Sequence, residues 1–160
     1  LELTDDLGEA PGAMPRAVYQ DECCHSRESN QPGKRFGQDG GVKPTAVHHV
    51  SINVRDVPAA ESFYVERLGM TRRRDRPDFG FPGAWLDAGG QQIHLIEGEP
   101  PAAVGQHFAI QVEDLDAAIA ELRDAGVEVS DAFPVASSRQ AFLADPSGNG
   151  IELHEVGAAS

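Results

Sequence analysis

The sequence predicts an α+β domain in which two βαβββ modules form a cupped mixed sheet. The first observation is an internal repeat. The eight residues that begin at His49, His-Val-Ser-Ile-Asn-Val-Arg-Asp, resemble the eight that begin 58 residues later at His107, His-Phe-Ala-Ile-Gln-Val-Glu-Asp. His94 and Glu152 are also 58 residues apart, and each lies within a short apolar run. The first and the last predicted strands therefore both occur twice, at matching places.

The first module is predicted from alternation, capping and turn residues. Every second residue of 49–54 is apolar, which indicates a half-buried strand. Asp56 is a good N-cap, Pro58 falls in the first helical turn and Gly69 ends the helix. Three short apolar runs follow as predicted strands, near residues 70–74, 84–88 and 92–97.

The second module repeats this order. Residues 107–112 alternate in the same way, Asp114 caps a second predicted helix and Gly126 ends it. Its three further apolar runs lie near residues 127–130, 140–144 and 151–156. We therefore place the modules at about 46–98 and 105–156, within a folded domain of residues 45–157.

Residues 1–44 differ from the rest of the chain, since Gly, Pro and polar residues occur there without apolar periodicity. Such a segment buries too little apolar surface to offset its ordering entropy, so it is predicted to be a disordered N-terminal extension. The chain also begins at Leu1 instead of Met, which suggests a fragment, a processed product or an over-extended reading frame.

The net charge, the apolar runs and the cysteines of the chain limit the kinds of partner and the cellular location that we expect. The formal net charge of the 160 residues is −13, which argues against nucleic acid and anionic membranes as partners. No apolar run reaches the roughly 20 residues that span a bilayer, and no secretory signal is visible at the start of the given sequence. The two cysteines are adjacent, at Cys23 and Cys24. A reducing, cytoplasmic setting is therefore expected.

Four potential metal ligands occupy equivalent places in the repeat. His49 and His107 begin the first strand of each module, while His94 and Glu152 lie on the last strand. Each alternates with apolar neighbours and therefore points away from the core. Imidazole and carboxylate together suit Zn, Ni, Fe, Co or Mn, so the four residues predict a pseudo-symmetric divalent-metal site whose metal is not identified.

Other residues leave alternatives open. His154 shares a strand face with Glu152 and either orients that ligand or is a plain strand residue. Phe81 and Trp85 either line a substrate pocket or pack a loop on the core. Arg139 either meets an anionic substrate or is a surface arginine.

These motifs resemble those of the vicinal oxygen chelate superfamily, also called the glyoxalase/bleomycin resistance/dioxygenase superfamily. The resemblance covers about residues 46–156 and rests on four segments, 49–56, 63–69, 92–97 and 145–153. It implies a glyoxalase-like fold whose metal ligands lie on the first and last strands of each module. Those positions are His49, His94, His107 and Glu152. The family's methylmalonyl-CoA epimerases usually have Gln, and its glyoxalase I enzymes Glu, where this chain has His94.

The resemblance implies a divalent-metal-dependent enzyme that acts on a small substrate with neighbouring oxygens. Isomerase or lyase chemistry through a metal-stabilised enolate is expected, with Glu152 either remaining a ligand or releasing to act as the catalytic base. The alternatives are an extradiol-dioxygenase-like enzyme, an antibiotic-modifying enzyme and a non-catalytic resistance protein that binds a small molecule. A homodimer is expected, because related proteins often exchange modules between two chains.

Overall fold

The computed structural model describes residues 44–102 and 104–157. The predicted disordered extension, apart from Pro44, lies outside the described residues. The helices and strands of the described residues all belong to the unit that starts at Val47. Within the described ranges, no helix is long and apolar enough to cross a membrane.

The first module contains one helix and a four-stranded mixed sheet. Its elements are β1 (His49–Val54), α1 (Val57–Glu66), β2 (Thr71–Arg72), β3 (Gly83–Ala88) and β4 (Gln91–Glu97). The strand order is β1-β4-β3-β2, with β1 parallel to β4 and the other pairs antiparallel. The carboxylate of Asp56 accepts the Ala59 N–H at 2.9 Å, and Gly69 adopts φ +67° after the helix, as the capping pattern predicts.

The second module repeats this topology. Its elements are β5 (His107–Val112), α2 (Leu115–Asp124), β6 (Phe133–Val135), β7 (Ser138–Ala144) and β8 (Gly150–Glu155). The strand order is β5-β8-β7-β6. His49 lies opposite Gln92 and His107 lies opposite Gly150, so the 58-residue offset also holds in the strand registers. The prediction of an α+β fold with paired βαβββ modules is confirmed, as two four-stranded sheets.

One predicted strand is wrong. Residues 127–130 make only an isolated bridge, from Val129 to Leu143, and the outer strand of the second sheet is β6. Ser130 N donates to Phe142 O at 2.9 Å, but the Phe142 N–H donates to the hydroxyl of Ser130 and not to a carbonyl. The side chain thus replaces a backbone acceptor, and the ladder does not continue.

Each sheet has a helix-covered face and an open face, defined here as the face opposite its helix. The helix-covered faces hold the core, which includes Leu86 and Leu95 in the first module and Ile151 and Leu153 in the second, all at most 2% exposed. Because strand residues alternate between faces, the residues between these apolar positions lie on the open faces.

The modules meet at a buried polar junction. The Tyr64 hydroxyl on α1 donates to Asp145 Oδ2 at 2.9 Å, and the Arg55 N–H donates to Ser147 Oγ at 3.0 Å. Burial, reinforced by the Asp145 carboxylate, raises the pKa of Tyr64 far above its usual range, so the phenol stays protonated. The junction links α1 to the turn before β8.

Candidate metal centre

His49 and His94 lie side by side on the open face of the first module. Their rings stack with centroids 4.1 Å apart and 12° between the planes. Trp85, directly opposite His94 on β3, stacks on His94 at 4.6 Å and 14°. Because β4 runs between β1 and β3, His94 is the middle ring of a three-ring stack. We call His49 and His94 the first-module pair.

The surroundings of His94 favour a neutral imidazole. His94 is 9% exposed, and its Nε2 lies 2.9 Å from Gln92 Oε1. Burial lowers the pKa of His94, and the neighbouring His49, His48, Arg73 and Arg76 lower it further. The neutral ring is the form that binds a metal ion.

His107 and Glu152 form the second-module pair on the open face of the second sheet. His107 Nε2 lies 3.0 Å from Glu152 Oε2, and its Nδ1 lies 2.9 Å from the Gly105 carbonyl oxygen. A carbonyl oxygen accepts only, so Nδ1 is the protonated nitrogen and donates to it. His154 Nδ1 lies 2.7 Å from Glu152 Oε1, so both carboxylate oxygens have an imidazole partner.

The four predicted ligands thus come together as two pairs. Among the described residues, no group of three or more His, Cys, Asp or Glu side chains is close enough to hold one metal ion. A cavity of about 380 Å³ runs along β1 and the start of β5, and His107 is the one predicted ligand in its lining. The structure therefore presents the four predicted ligands as two separate pairs in one chain.

Two of the three predicted pocket residues lie beside the first-module pair. The Phe79 ring lies 5.6 Å from Phe81 and 6.0 Å from Trp85, and Trp85 in turn covers His94. We call Phe79, Phe81 and Trp85 the aromatic wall. Because Phe81 is 45% exposed, this wall faces outward and not into the core.

Arg139, the third predicted pocket residue, is not brought together with the others. Arg139 lies two residues before the buried Ala141 on β7, so both side chains point to the helix-covered face. Its guanidinium binds Asp116 at 2.6 Å and Glu155 at 3.3 Å, and the hydrogen bond to Arg139 lowers the pKa of Asp116.

Sequence reasoning missed two residues at the site. Phe142 lies directly opposite Glu152 and makes an edge contact with His107 at 5.2 Å between centroids. Its place corresponds to that of Trp85, which lies opposite His94, but the offset is 57 residues (85 to 142), so the 58-residue repeat points to Leu143 instead. Gln92 contacts His94 and lies two residues before it on the same strand, so alternation contained this signal for Gln92 and not for Gln91.

Comparison with known proteins gives a consistent family assignment. The profile of the Glyoxalase/Bleomycin resistance protein/Dioxygenase superfamily matches residues 46–153. The Escherichia coli (strain K12) protein YaeR is 32% identical over 127 residues, which cover 68% of this chain and 95% of YaeR. A solved glyoxalase family protein from Bacillus anthracis is 28% identical with a TM-score of 0.65, covering 72% of this chain and 98% of that one. TnmS3, an antibiotic binding protein from Streptomyces sp. CB03234, is 27% identical with a TM-score of 0.62, over 72% and 98% of the two chains.

Proposed function

Since this chain belongs to the glyoxalase/bleomycin resistance protein/dioxygenase superfamily, we propose that it is a divalent-metal-dependent enzyme. Its substrate is a small molecule with neighbouring oxygens, and its reaction is an isomerisation or a lyase reaction. The observation that supports this most is the repetition of a potential ligand pair at equivalent places of both modules. A cytoplasmic location remains a prediction from the sequence.

The second-module pair has the chemistry and spacing that a metal ion requires. An imidazole nitrogen and a carboxylate oxygen, His107 Nε2 and Glu152 Oε2, lie 3.0 Å apart, so these two residues would hold a divalent ion together. The hydrogen bond from Nδ1 to Gly105 O is also typical of metal-binding histidines, whose second nitrogen is held by a carbonyl or carboxylate.

A symmetric homodimer would complete the site. The first-module pair and the second-module pair of one chain do not form one cluster, yet each lies on an open face. In a twofold dimer the first-module pair of one protomer faces the second-module pair of its partner, which produces two identical sites.

The metal ion would act as a Lewis acid that polarises a substrate carbonyl and stabilises the negative charge of an enolate. Glu152 is the group that holds or moves the proton, because it is the one carboxylate among the four predicted ligands. It is only 7% exposed, and both oxygens are positioned by imidazoles. Trp85 excludes water from one side of His94.

Metal analysis of purified protein, with Ni, Mn, Fe and Zn titrations, tests the proposal. We expect tight binding of a divalent ion, and a loss of affinity of more than about 100-fold in His94→Ala, since removing a ligand costs more than removing its supporting partner. Gln91→Ala is the control, because Gln91 is an exposed residue on the same strand as His94 and its side chain points to the opposite face of the sheet. The proposal fails if the wild type holds no divalent ion tightly and His94→Ala leaves ligand binding unchanged.

Activity screening identifies the reaction class. Methylglyoxal–thiol adducts and 2-methyl-branched acyl-CoA test isomerase and lyase chemistry, whereas catechols test oxidative ring cleavage. Antibiotic modification is a further enzyme alternative within the superfamily.

A second candidate function is binding without turnover. The likeness to TnmS3 favours it, as does the outward-facing aromatic wall beside His94. A binding protein of this kind would bind its ligand equally well before and after His94→Ala and would convert none of the screened substrates.

A further inference from the structure

Arg76 is held next to the aromatic wall by contacts that leave much of its guanidinium unused. Its carbon Cζ lies 5.1 Å from the centre of the Phe79 ring and 5.3 Å from that of Phe81. Nη2 donates to the Phe81 carbonyl at 3.0 Å, and Nη1 donates to the Pro77 carbonyl at 3.3 Å. Two of the five N–H donors are engaged, so three remain for a ligand.

Arg76 also has no acidic partner within the part of the chain that the structure describes. Five other arginines there each bind a carboxylate: Arg55, Arg72, Arg73, Arg123 and Arg139. In a chain with a net charge of −13, a fixed guanidinium without a carboxylate is an available anion-binding group. Arg74 lacks such a partner too, but it makes no side-chain hydrogen bond or aromatic contact in the described ranges.

Arg76 lies on the same open face as the first-module pair. The guanidinium of Arg76 occupies the space that a side chain at position 83 would fill. A Cβ atom added to Gly83 would lie only 2.9 Å from Arg76 Nη2. Gly83 and Trp85 are two residues apart on β3 and share the open face, which separates them by about 7 Å. Trp85 stacks on His94, so the order along the surface is guanidinium, indole, imidazole.

We propose that Arg76 binds an oxyanion group of the substrate, a carboxylate or a phosphate-like group, and so selects anionic over neutral substrates. The remaining guanidinium donors suit the two oxygens of such a group. The body of the substrate rests on the rings of Phe79, Phe81 and Trp85, and its neighbouring oxygens reach the predicted metal ligands. The substrate class rests on the proposed metal site, whereas the anion contact itself does not.

Two ligands that differ by one carboxylate test this inference. Catechol and 3,4-dihydroxybenzoate share the neighbouring oxygens, and quenching of Trp85, the chain's one tryptophan, reports their binding to the Mn²⁺-loaded full chain. We expect the wild type to prefer 3,4-dihydroxybenzoate by about tenfold, the effect of a charge-assisted hydrogen bond. Arg76→Gln should lose that preference, Arg76→Lys should keep part of it, and the control Arg74→Gln should retain it in full.

Benzoate without metal separates this inference from the proposed function. It offers a carboxylate but no chelating oxygens, so quenching by benzoate should persist in His94→Ala and disappear in Arg76→Gln. That result supports the anion contact even if the metal proposal fails. Equal preference for the two catechols in the wild type and Arg76→Gln, or an equal loss in Arg74→Gln, would overturn the inference.

Discussion

Glu152 differs from the other three predicted ligands in charge and in how firmly it is held. Oε2 faces His107 at 3.0 Å, and Oε1 faces His154 at 2.7 Å, which leaves the carboxylate little freedom to rotate. At the equivalent place in the first module, His94 is held by ring stacking and by Gln92. The repeat therefore places a hydrogen-bonded carboxyl group in the second-module pair and a stacked imidazole in the first-module pair.

His154 is predicted to orient Glu152. His154→Leu should weaken divalent-metal binding about 10- to 100-fold, the usual effect of losing a group that orients a ligand. His154→Asn should recover most of the affinity, because its amide can donate from nearly the same place as Nδ1. Isothermal titration with Ni²⁺ or Mn²⁺ measures both.

Gln111→Leu is the matched control, since Gln111 lies directly opposite His154 on the same face but makes no side-chain hydrogen bond to Glu152 or His107. An asparagine variant that binds metal as weakly as the leucine variant would show that His154 does not act through its hydrogen bond.

At the scale of the elements, the repeat extends to the backbone. Asp56 caps α1 with φ −136° and ψ 106°, and Asp114 caps α2 with φ −135° and ψ 105°. In each case the carboxylate accepts the N–H three residues later, at 2.9 Å. Each cap lies two residues after the strand that starts with a predicted ligand and sets where its helix begins.

Asp114→Ala should lower the free energy of unfolding by about 1 kcal/mol, because the Ala117 N–H at the start of α2 loses its acceptor. Urea denaturation followed by circular dichroism measures the change. Glu113→Ala, at the exposed neighbouring position, should change stability by less than about 0.5 kcal/mol. Equal effects of the two substitutions would contradict the assigned role of the cap.

At the scale of the molecule, the two modules are joined through hydrogen bonds at Tyr64 and Asp145, while their ligand pairs stay apart. This separation is the reason for proposing a homodimer, in which the first-module pair of one chain would meet the second-module pair of another.

The two modules and the faces on which the predicted ligands lie could be predicted from the sequence. Strand alternation and helix capping depend only on residues that are close in the sequence. Alternation placed His49 and His94 on one face, and the 58-residue offset did the same for His107 and Glu152. The outer strand β6 was not predicted, since Phe133–Val135 contains a proline and no alternating pattern that marks it as a strand.

The position of Arg139 could have been found from its parity with Ala141 and Leu143, which are buried. The separation of the two pairs could not be predicted, because it depends on contacts between modules that no local pattern encodes.

Complementation of two inactive variants tests the shared metal site most directly. His94→Ala breaks the first-module pair and His107→Ala breaks the second-module pair, so neither homodimer should bind metal tightly. When the two variants are co-expressed, a mixed dimer contains one site in which both pairs are intact. Metal analysis should then recover about a quarter of the wild-type stoichiometry, given random pairing of the chains. No recovery in verified mixed dimers would contradict a site built from the two modules of different chains.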